Sequence, residues 1–458
     1  MKKTFTFLFS LFISLVMVGQ VNLTNIYNWK DSTLMGSQAF NNTYNEVWGF
    51  TQNQKEYAVI GTTEGTHIFD VSDPNNIPLV DFTEGRFRGR YVIHRDYHDY
   101  NGYLYVVCDE GPSSLQILDL SHLPDSTALV YDEDSLFQRS HNIFIDSARG
   151  VLYSCGGDRQ LTLFSLADPT HPKRLLDCQT DVPFWNSIGY IHDIYVEDGI
   201  AFCNAGTNGF FMIDFTDPSN AKLMGSLTQY PDQGYNHSGW LHSAGNIYAM
   251  ADETWGMDIK ILDISDPSDI KVLSQINSNV DSKSIVHNLI FKGDLLFVSY
   301  YYDGVYVFDL SDPANPTTLA MYETSPLSPR NSYEGCWGVY PFLPSGLVLA
   351  SDMQEGLFVF DGNSVPTSNI TISEDQNFYI YPNPTSNTLN ISNASEIKQI
   401  EIYNAAGSLL EKRNVNSNFI ELEIENYIPK GVFIIKLFGD NFATTKMMMK
   451  IWYEFSLR

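Results

Sequence analysis

The sequence predicts an all-β chain: a seven-bladed β-propeller followed by a small C-terminal β-sandwich. Three observations carry that prediction. An apolar segment closed by a turn recurs seven times at intervals of 46 to 52 residues. Each copy sits in a unit of four short alternating segments separated by Gly, Asn and Asp-Pro turns, as in a propeller blade. Helical periodicity is absent over 47–361, and 27 Tyr, 29 Phe and 7 Trp enrich the chain in strand-favouring side chains.

The chain opens with Lys2 and Lys3 and an apolar run from Phe5 to Val18. A charged start before a short apolar core reads as a Sec signal peptide over 1–20, too short to span a bilayer comfortably. No later segment is apolar enough to cross a membrane.

The repeat occupies 21–361. Its third strands read HIFDVSDP from His67, LQILDLSHLP from Leu115, LTLFSLADP from Leu161 and FFMIDFTDP from Phe211, then IKILDISDP from Ile259, VYVFDLSDP from Val305 and LFVFDGN from Leu357. The anchors that end these strands are Asp70, Asp119, Ser165, Asp214, Asp263, Asp309 and Asp361. Asp-Pro turns follow most of them, because proline presets φ and aspartate bonds the backbone ahead. Asp198-Gly199 and Asn101-Gly102 read as two-residue hairpin turns between first and second strands. The seventh unit stops after its third strand. Residues 23–29 (LTNIYNW) precede the first unit and resemble the missing fourth strand, so they are expected to close the last blade and cover its open edge.

Two columns of side chains follow from the repeat. Cys108, Cys155 and Cys203 align with Gly61, Ala251, Ser299 and Ser351 at the ends of second strands, a column of small residues. Cys178 is assigned to a fourth strand and Cys336 to a first strand. Cysteines in equivalent places of adjacent blades are expected to lie too far apart to bridge, so no disulfide is expected. The second column is His94, His141, His192, His237 and His287 at the starts of first strands, with Trp48 and Trp337 in the equivalent places of units one and seven. First strands line the central channel, so these seven residues form the candidate binding site at one mouth. Two readings of the histidines stand side by side. Converging imidazoles can hold a divalent metal, with His141, His192, His237 and His287 as candidate ligands, or each imidazole bonds the backbone of a neighbouring blade. Loops after the second strands add Asp109, Glu110, Asp158, Asp252, Glu253, Asp303, Asp352 and Glu355, and loops between blades add Arg86, Arg88, Arg90, Arg139 and Arg330.

The pattern of Gly, apolar strand, Asp, apolar residue, Ser and Asp-Pro in 304–313 (GVYVFDLSDP) resembles the LVIVD repeat, and the region as a whole resembles the choice-of-anchor B propellers of surface proteins. That resemblance implies export and display, and no known catalysis. After a polar linker at 362–376 come YPNP from Tyr381, IYNAAG from Ile402, a Pro-Lys-Gly turn and a Lys-flanked last strand, ending in a tail at 452–458. This order over 377–451 resembles a type A sorting domain of the type IX secretion system, which implies that the type IX machinery is a partner and that the chain reaches the cell surface or the extracellular space.

The formal charge is −27, which repels phosphate backbones and argues against a nucleic-acid partner. Walker, GxGxxG, HExxH and GxSxG patterns are missing from the sequence, so no catalytic residue is nominated. The expected function is a secreted or surface binding protein, acting as a monomer on an extracellular ligand, with an unknown cofactor for which a divalent metal is the candidate. The alternative is an extracellular hydrolase or lyase working at the His-lined mouth.

Overall fold

Each third strand ends where its anchor side chain bonds the turn ahead. The Ser72 N–H donates to Asp70 Oδ1 at 3.0 Å, Ser121 to Asp119 at 2.8 Å, Thr216 to Asp214 at 2.8 Å and Ser265 to Asp263 at 3.0 Å. Ser311 donates to Asp309 at 2.8 Å and Asn363 to Asp361 at 3.0 Å, while Ser165 accepts the Ala167 N–H on its Oγ at 3.2 Å. The second aspartate of the motif repeats the device one turn on, as Asp217 Oδ1 does for the Ser219 N–H at 3.1 Å. The recurring Asp is therefore a backbone stop signal, and the repeat is spelled in turn chemistry.

The computed structural model describes residues 21–113, 115–328 and 332–365 and, further on, 379–381, 385, 388–392, 397–404, 409–415, 417, 419–424, 431–438 and 443–450. The expected signal at 1–20, most of the linker, the YPNP motif, the Pro-Lys-Gly turn, the tail and Arg330 lie outside them. The chain divides into two units, Met1–Pro366 and Thr367–Arg458.

Among the described residues the first unit holds seven antiparallel sheets. The first sheet runs Tyr44–Gln52, Lys55–Thr62, Gly65–Asp70 and Leu79–Glu84 from inside to outside. The inner strands of the next six are Arg95–Tyr100, Asn142–Asp146, Asp193–Glu197, Asn236–Leu241, Val286–Lys292 and Cys336–Tyr340. Each packs on its neighbours, and the last packs on Tyr44–Gln52, so the sheets close into a ring. This is a β-propeller. Asp198-Gly199 and Asn101-Gly102 make two-residue hairpins, with φ of 50° and 82° in the first and 50° and 83° in the second, the left-handed pair that a type I′ turn requires.

The seventh sheet takes its outer strand from the start of the chain. Thr24–Trp29 pairs antiparallel with Gly356–Asp361, and Val21–Asn22 pairs in parallel with Thr317–Tyr322, the outer strand of the sixth sheet. Gly356 is required at this seam, since its φ is +89° and a Cβ would lie 2.0 Å from the Trp29 carbonyl oxygen.

The register corrects the cysteine column. The anchors pair with Tyr57, Tyr103, Val151, Ile200, Ile247, Leu295 and Leu347 in the second strands. Four residues on stand Gly61, Val107, Cys155, Asn204, Ala251, Ser299 and Ser351. Cys108 lies one place past this register and Cys203 one place before it. Side chains alternate along a strand, so Cys155 and Cys203 face one another from adjacent sheets and share an apolar cluster with Cys178. Cys178 starts a short helix, Cys178–Asp181, rather than standing in the outer strand. All five thiols are free and buried.

The second unit has a three-stranded sheet (Tyr379–Tyr381, Thr388–Ser392, Phe419–Glu423) and a four-stranded one (Leu409–Asn414, Gln399–Asn404, Gly431–Phe438, Ala443–Lys450). Leu389, Ile391, Ile420 and Leu422 of the first share one core with Ile400, Ile402, Phe433, Ile435 and Leu437 of the second. Two sheets with alternating inward residues and a common core make a β-sandwich.

Candidate functional site

The inner strands begin with a β-bulge in the first, fifth, sixth and seventh sheets. The extra residue turns side chains into the channel that a regular pleat would turn away. His141, His192, His237, His287 and Trp337 occupy one register, and His94, one place earlier in its strand, swings its ring into the same layer. The result is a closed ring of six aromatic side chains. Centroid separations run 4.9 Å from His94 to His141, 4.2 Å to His192, 4.0 Å to His237, 4.4 Å to His287, 4.3 Å to Trp337 and 5.3 Å back to His94.

Trp48 does not belong to it. The register partner in the first sheet is Asn45, whose amide reaches the Ile93 carbonyl at 3.2 Å. Trp48 stands three residues further along the strand, at the opposite end of the channel. There its indole N–H donates to Asp99 at 2.9 Å and its ring lies 4.7 Å from His98 and 4.9 Å from Tyr340. Trp48, His98, Phe144, Tyr195, Trp240 and Tyr340 form a second aromatic layer at that end.

Three carboxyls lie between the two layers. Glu46, Asp96 and Asp193 follow the imidazole register by one residue and line the channel with Asn142 and Asn288. The Asn288 amide donates to Glu46 at 2.8 Å, and the Ile143 N–H donates to Asp96 at 2.7 Å. Burial raises all three pKa values, with Asp96 at about 7 and mutual repulsion adding to Glu46 and Asp193. Sequence reasoning missed them because it followed one side chain per strand: Glu46 lies at a bulge, whereas Asp96 and Asp193 lie in regular strands whose channel-facing histidines stand just before the first strand residue.

The imidazoles differ in protonation. His94 Nδ1 meets Glu110 Oε1 at 2.5 Å, and His141 Nδ1 meets Asp109 Oδ2 at 3.0 Å. Burial disfavours the charged form of His94, but Glu110 outweighs it and raises its pKa. Burial works the same way against both carboxylates, and their histidine partners nevertheless hold Asp109 and Glu110 below the usual range. Across the ring His192 and His237 are held far below the ordinary imidazole value, first by burial and then by their imidazole neighbours, while His287 falls to about 3 and bonds the Trp337 carbonyl at 2.6 Å. His94 and His141 thus hold carboxylate partners, while burial works against charge on His192, His237 and His287.

Of the eight acidic loop residues, Asp109, Glu110 and Glu253 converge on the imidazoles. Asp158 pairs with Arg139, Glu355 with Lys30 and Asp252 with Lys260, while Asp303 accepts from Ser278 and Asp352 from Thr324. Arg86 pairs with Asp132 and Asp134, and Arg88 with Glu84. Above the ring Phe40, Tyr301, Tyr333 and Glu253 wall a cavity of about 210 Å³ floored by the imidazoles and Trp337. Phe40 and Tyr333 come from loops outside the repeat pattern, while Tyr301 stands in the second-strand loops at the place that Asp109 and Glu253 hold in their blades.

The channel carboxyls make stability depend on pH. The pKa of Asp96 rises on folding, so the folded state holds its proton more tightly. Stability is then complete below the usual carboxylate range and is lost as pH climbs through about 7. Asp96→Asn keeps an acceptor for Ile143 and removes the charge beside Glu46 and Asp193. The variant is expected to unfold later than the parent at pH 8, by about 2–4 kcal/mol, with the gap closing towards pH 4. Equal urea midpoints at pH 8 would refute this.

Residues 379–451 match the family described as the secretion system C-terminal sorting domain, and residues 188–229 and 285–324 match the LVIVD repeat. No curated protein matches the sequence. Among solved structures the chain is similar to the β-propeller domain of Cps50 (Swd1) from Myceliophteria thermophila, at 11% identity over 74% of this chain and 98% of that one, with a TM-score of 0.50. It is also similar to PorZ, an essential surface component of the type IX secretion system of Porphyromonas gingivalis, at 13% identity over 92% of this chain and 61% of that one, with a TM-score of 0.48. The chain therefore spans about 61% of the length of PorZ. A third similarity, to the computationally designed Ika8 protein, has 11% identity over 71% of this chain and 98% of that one and a TM-score of 0.45. The chain carries LVIVD repeats and a type IX C-terminal sorting domain, which marks it for export to the cell surface or extracellular space. No helix of the described residues is long and apolar enough to cross a membrane.

Proposed function

We propose that this exported propeller, of seven blades, is a binding protein whose ligand enters the imidazole-lined mouth. The observation that carries the reading is the closed ring of five histidines and Trp337 beneath a cavity of about 210 Å³. The volume lies below the usual range for a drug-sized pocket, ~300–1,000 Å³, so it suits one ring-sized ligand or the tip of a larger one. Trp337 and Tyr301 offer faces for stacking, and the His94–Glu110 and His141–Asp109 pairs offer fixed polar groups. Most of the other loop charges already sit in ion pairs or accept from hydroxyls, which supports the mouth over the rim as the recognition surface.

A glycan and peptide array probed with the exported chain tests this. Ligands captured by the parent are expected to be lost, by about 100-fold or more in affinity, in His141→Ala and in Trp337→Ala, with melting curves to show that each variant is folded. Capture unchanged in both folded variants would move the site to the rim loops.

A further inference from the structure

We infer that His192, His237 and Glu253 form a three-ligand site for Zn²⁺ or a similar first-row transition-metal ion, with its fourth position open to the cavity above the imidazole ring. This rests on the mouth being the binding site and names a chemistry for it.

One candidate ligand atom from each of the three side chains lies within 4.8 Å of the others. The two imidazole rings are 4.0 Å apart, and His237 Nε2 stands 3.9 Å from Glu253 Oε2. Donors around a tetrahedral zinc, each ~2.1 Å from the ion, sit about 3.4 Å from one another. Small side-chain rotations therefore close the site without backbone movement.

A second, independent observation separates this cluster from an ordinary polar patch. The Nδ1 atoms of His192 and His237 are buried with no hydrogen-bond partner, although the residues are only 9% and 3% exposed. Buried ring nitrogens are normally paired, but here neither ring is pinned by a bond from its Nδ1, and each is free to turn one nitrogen towards an ion beside Glu253. Glu253 is oriented for the task, because the Tyr301 hydroxyl donates to its Oε1 at 2.6 Å and leaves Oε2 towards His237. Such outer partners fix the direction of a ligating carboxylate.

The opposite side of the ring shows the contrast. His94, Asp109 and His141 also lie close together, but there the only carboxylate of the group, Asp109, is already engaged on His141 Nδ1, and His94 is held by Glu110. His287 uses its Nδ1 on the Trp337 carbonyl. Two imidazoles and one carboxylate select zinc-like ions over Ca²⁺ or Mg²⁺, which take oxygen donors. A three-ligand set with an open position is the arrangement in which zinc exchanges water for a ligand's donor atom.

The test is titration of the chelator-treated full chain with Zn²⁺ alone by calorimetry, and with Co²⁺ by visible absorption. One equivalent of Zn²⁺ and the d–d bands of tetrahedral Co²⁺ are expected. His237→Ala and the near-isosteric Glu253→Gln should each weaken Zn²⁺ binding by about 100-fold or more. Tyr301→Phe, which only frees the carboxylate, should weaken it by about 10-fold or more. His94→Ala should leave it within about threefold of the parent. Zinc binding that survives Glu253→Gln, or that is lost in His94→Ala instead, overturns the assignment. So does a parent chain that takes no zinc; if that chain still loses its array ligands on Trp337→Ala, the metal reading fails while the mouth remains the binding site.

Discussion

Deleting residues 21–29 from the full chain is expected to abolish the cooperative unfolding of the propeller. The segment joins three sheets. Leu23, 3% exposed, donates its N–H to the Met321 carbonyl at 2.9 Å beside the sixth sheet. Thr24–Trp29 completes the seventh sheet in register with Gly356–Asp361. Trp29 then packs on the first sheet, with its ring 4.9 Å from both His67 and Phe69. Ladder hydrogen bonds contribute ~0.5–1.5 kcal/mol each, and burial of Leu23 and Trp29 adds ~1.5–3 kcal/mol each. The loss is on the order of 5–10 kcal/mol, comparable with the whole stability of a typical domain. It also leaves Gly356–Asp361 as an open apolar edge, which invites aggregation. Gly356→Ala provides a subtler probe, because its Cβ drives the Trp29 carbonyl away without shortening the chain. Calorimetry of the three chains, with and without a peptide of residues 21–30 added in trans, measures the effect. The peptide is expected to restore part of the transition to the truncated chain. A truncated chain that melts within a few degrees of the parent would show that the ring does not depend on this closure.

The same strand marks the boundary of what a sequence can reveal here. Turns are written locally, so the Asp anchors, the Asp-Gly and Asn-Gly hairpins and the order of strands were all legible. LTNIYNW looked like a fourth strand because its alternation and its neighbours match the other fourth strands. Register inside a strand is not written locally. Bulges add a residue without leaving a composition signal, and histidines that stand just before a strand put the next residue on the channel as well, so neither the place of Trp48 nor the carboxyls of Glu46, Asp96 and Asp193 can be read from spacing. The unit length itself varies by a residue or so, so cysteines at near-equal spacing fall on three successive positions of the register. The imidazole layer survived these errors because four of its five histidines share a register and His94 needs only a side-chain swing. Tyr333 and Phe40 approach from loops that the repeat does not constrain, and Tyr301 breaks the acidic pattern of its column. The pairing of Glu253 with His237, and of Asp109 with His141, depends on how neighbouring blades are juxtaposed, which no single unit encodes.

Lys260→Ala is expected to destabilise the propeller by about 3–5 kcal/mol, the cost of stranding one member of a buried ion pair. Lys260 lies three residues before its anchor Asp263, in a position that other blades fill with His67, Gln116, Thr162, Phe211, Tyr306 and Phe358. All of these are buried, and Lys260 is 0% exposed. Its ammonium is satisfied from several sides: Asp252 at 2.9 Å, the Asp232 carbonyl at 2.6 Å and the Asp258 carbonyl at 3.0 Å. The Tyr230 ring lies 5.8 Å away, and the Tyr230 hydroxyl and Gly234 N–H donate to the same Asp252 carboxylate. Removing the ammonium leaves a charged Asp252 enclosed among apolar strands with two donors in place of three. The double variant Lys260→Met with Asp252→Asn removes both charges and keeps an acceptor for Tyr230 and Gly234, so it should recover at least half of the loss. A double-mutant cycle in urea measures the coupling. Additive effects, or a single variant that loses less than about 1 kcal/mol, would mean that the pair is not holding the 230–235 loop against the fifth sheet. The loop matters beyond stability. It leads directly into His237, and the residue after Asp252 is Glu253, whose N–H donates to the Tyr235 carbonyl at 2.8 Å. A lysine buried in the sheet therefore sets the spacing between an imidazole and a carboxylate at the mouth, and Lys260→Ala should weaken zinc binding even at temperatures where the chain is still folded.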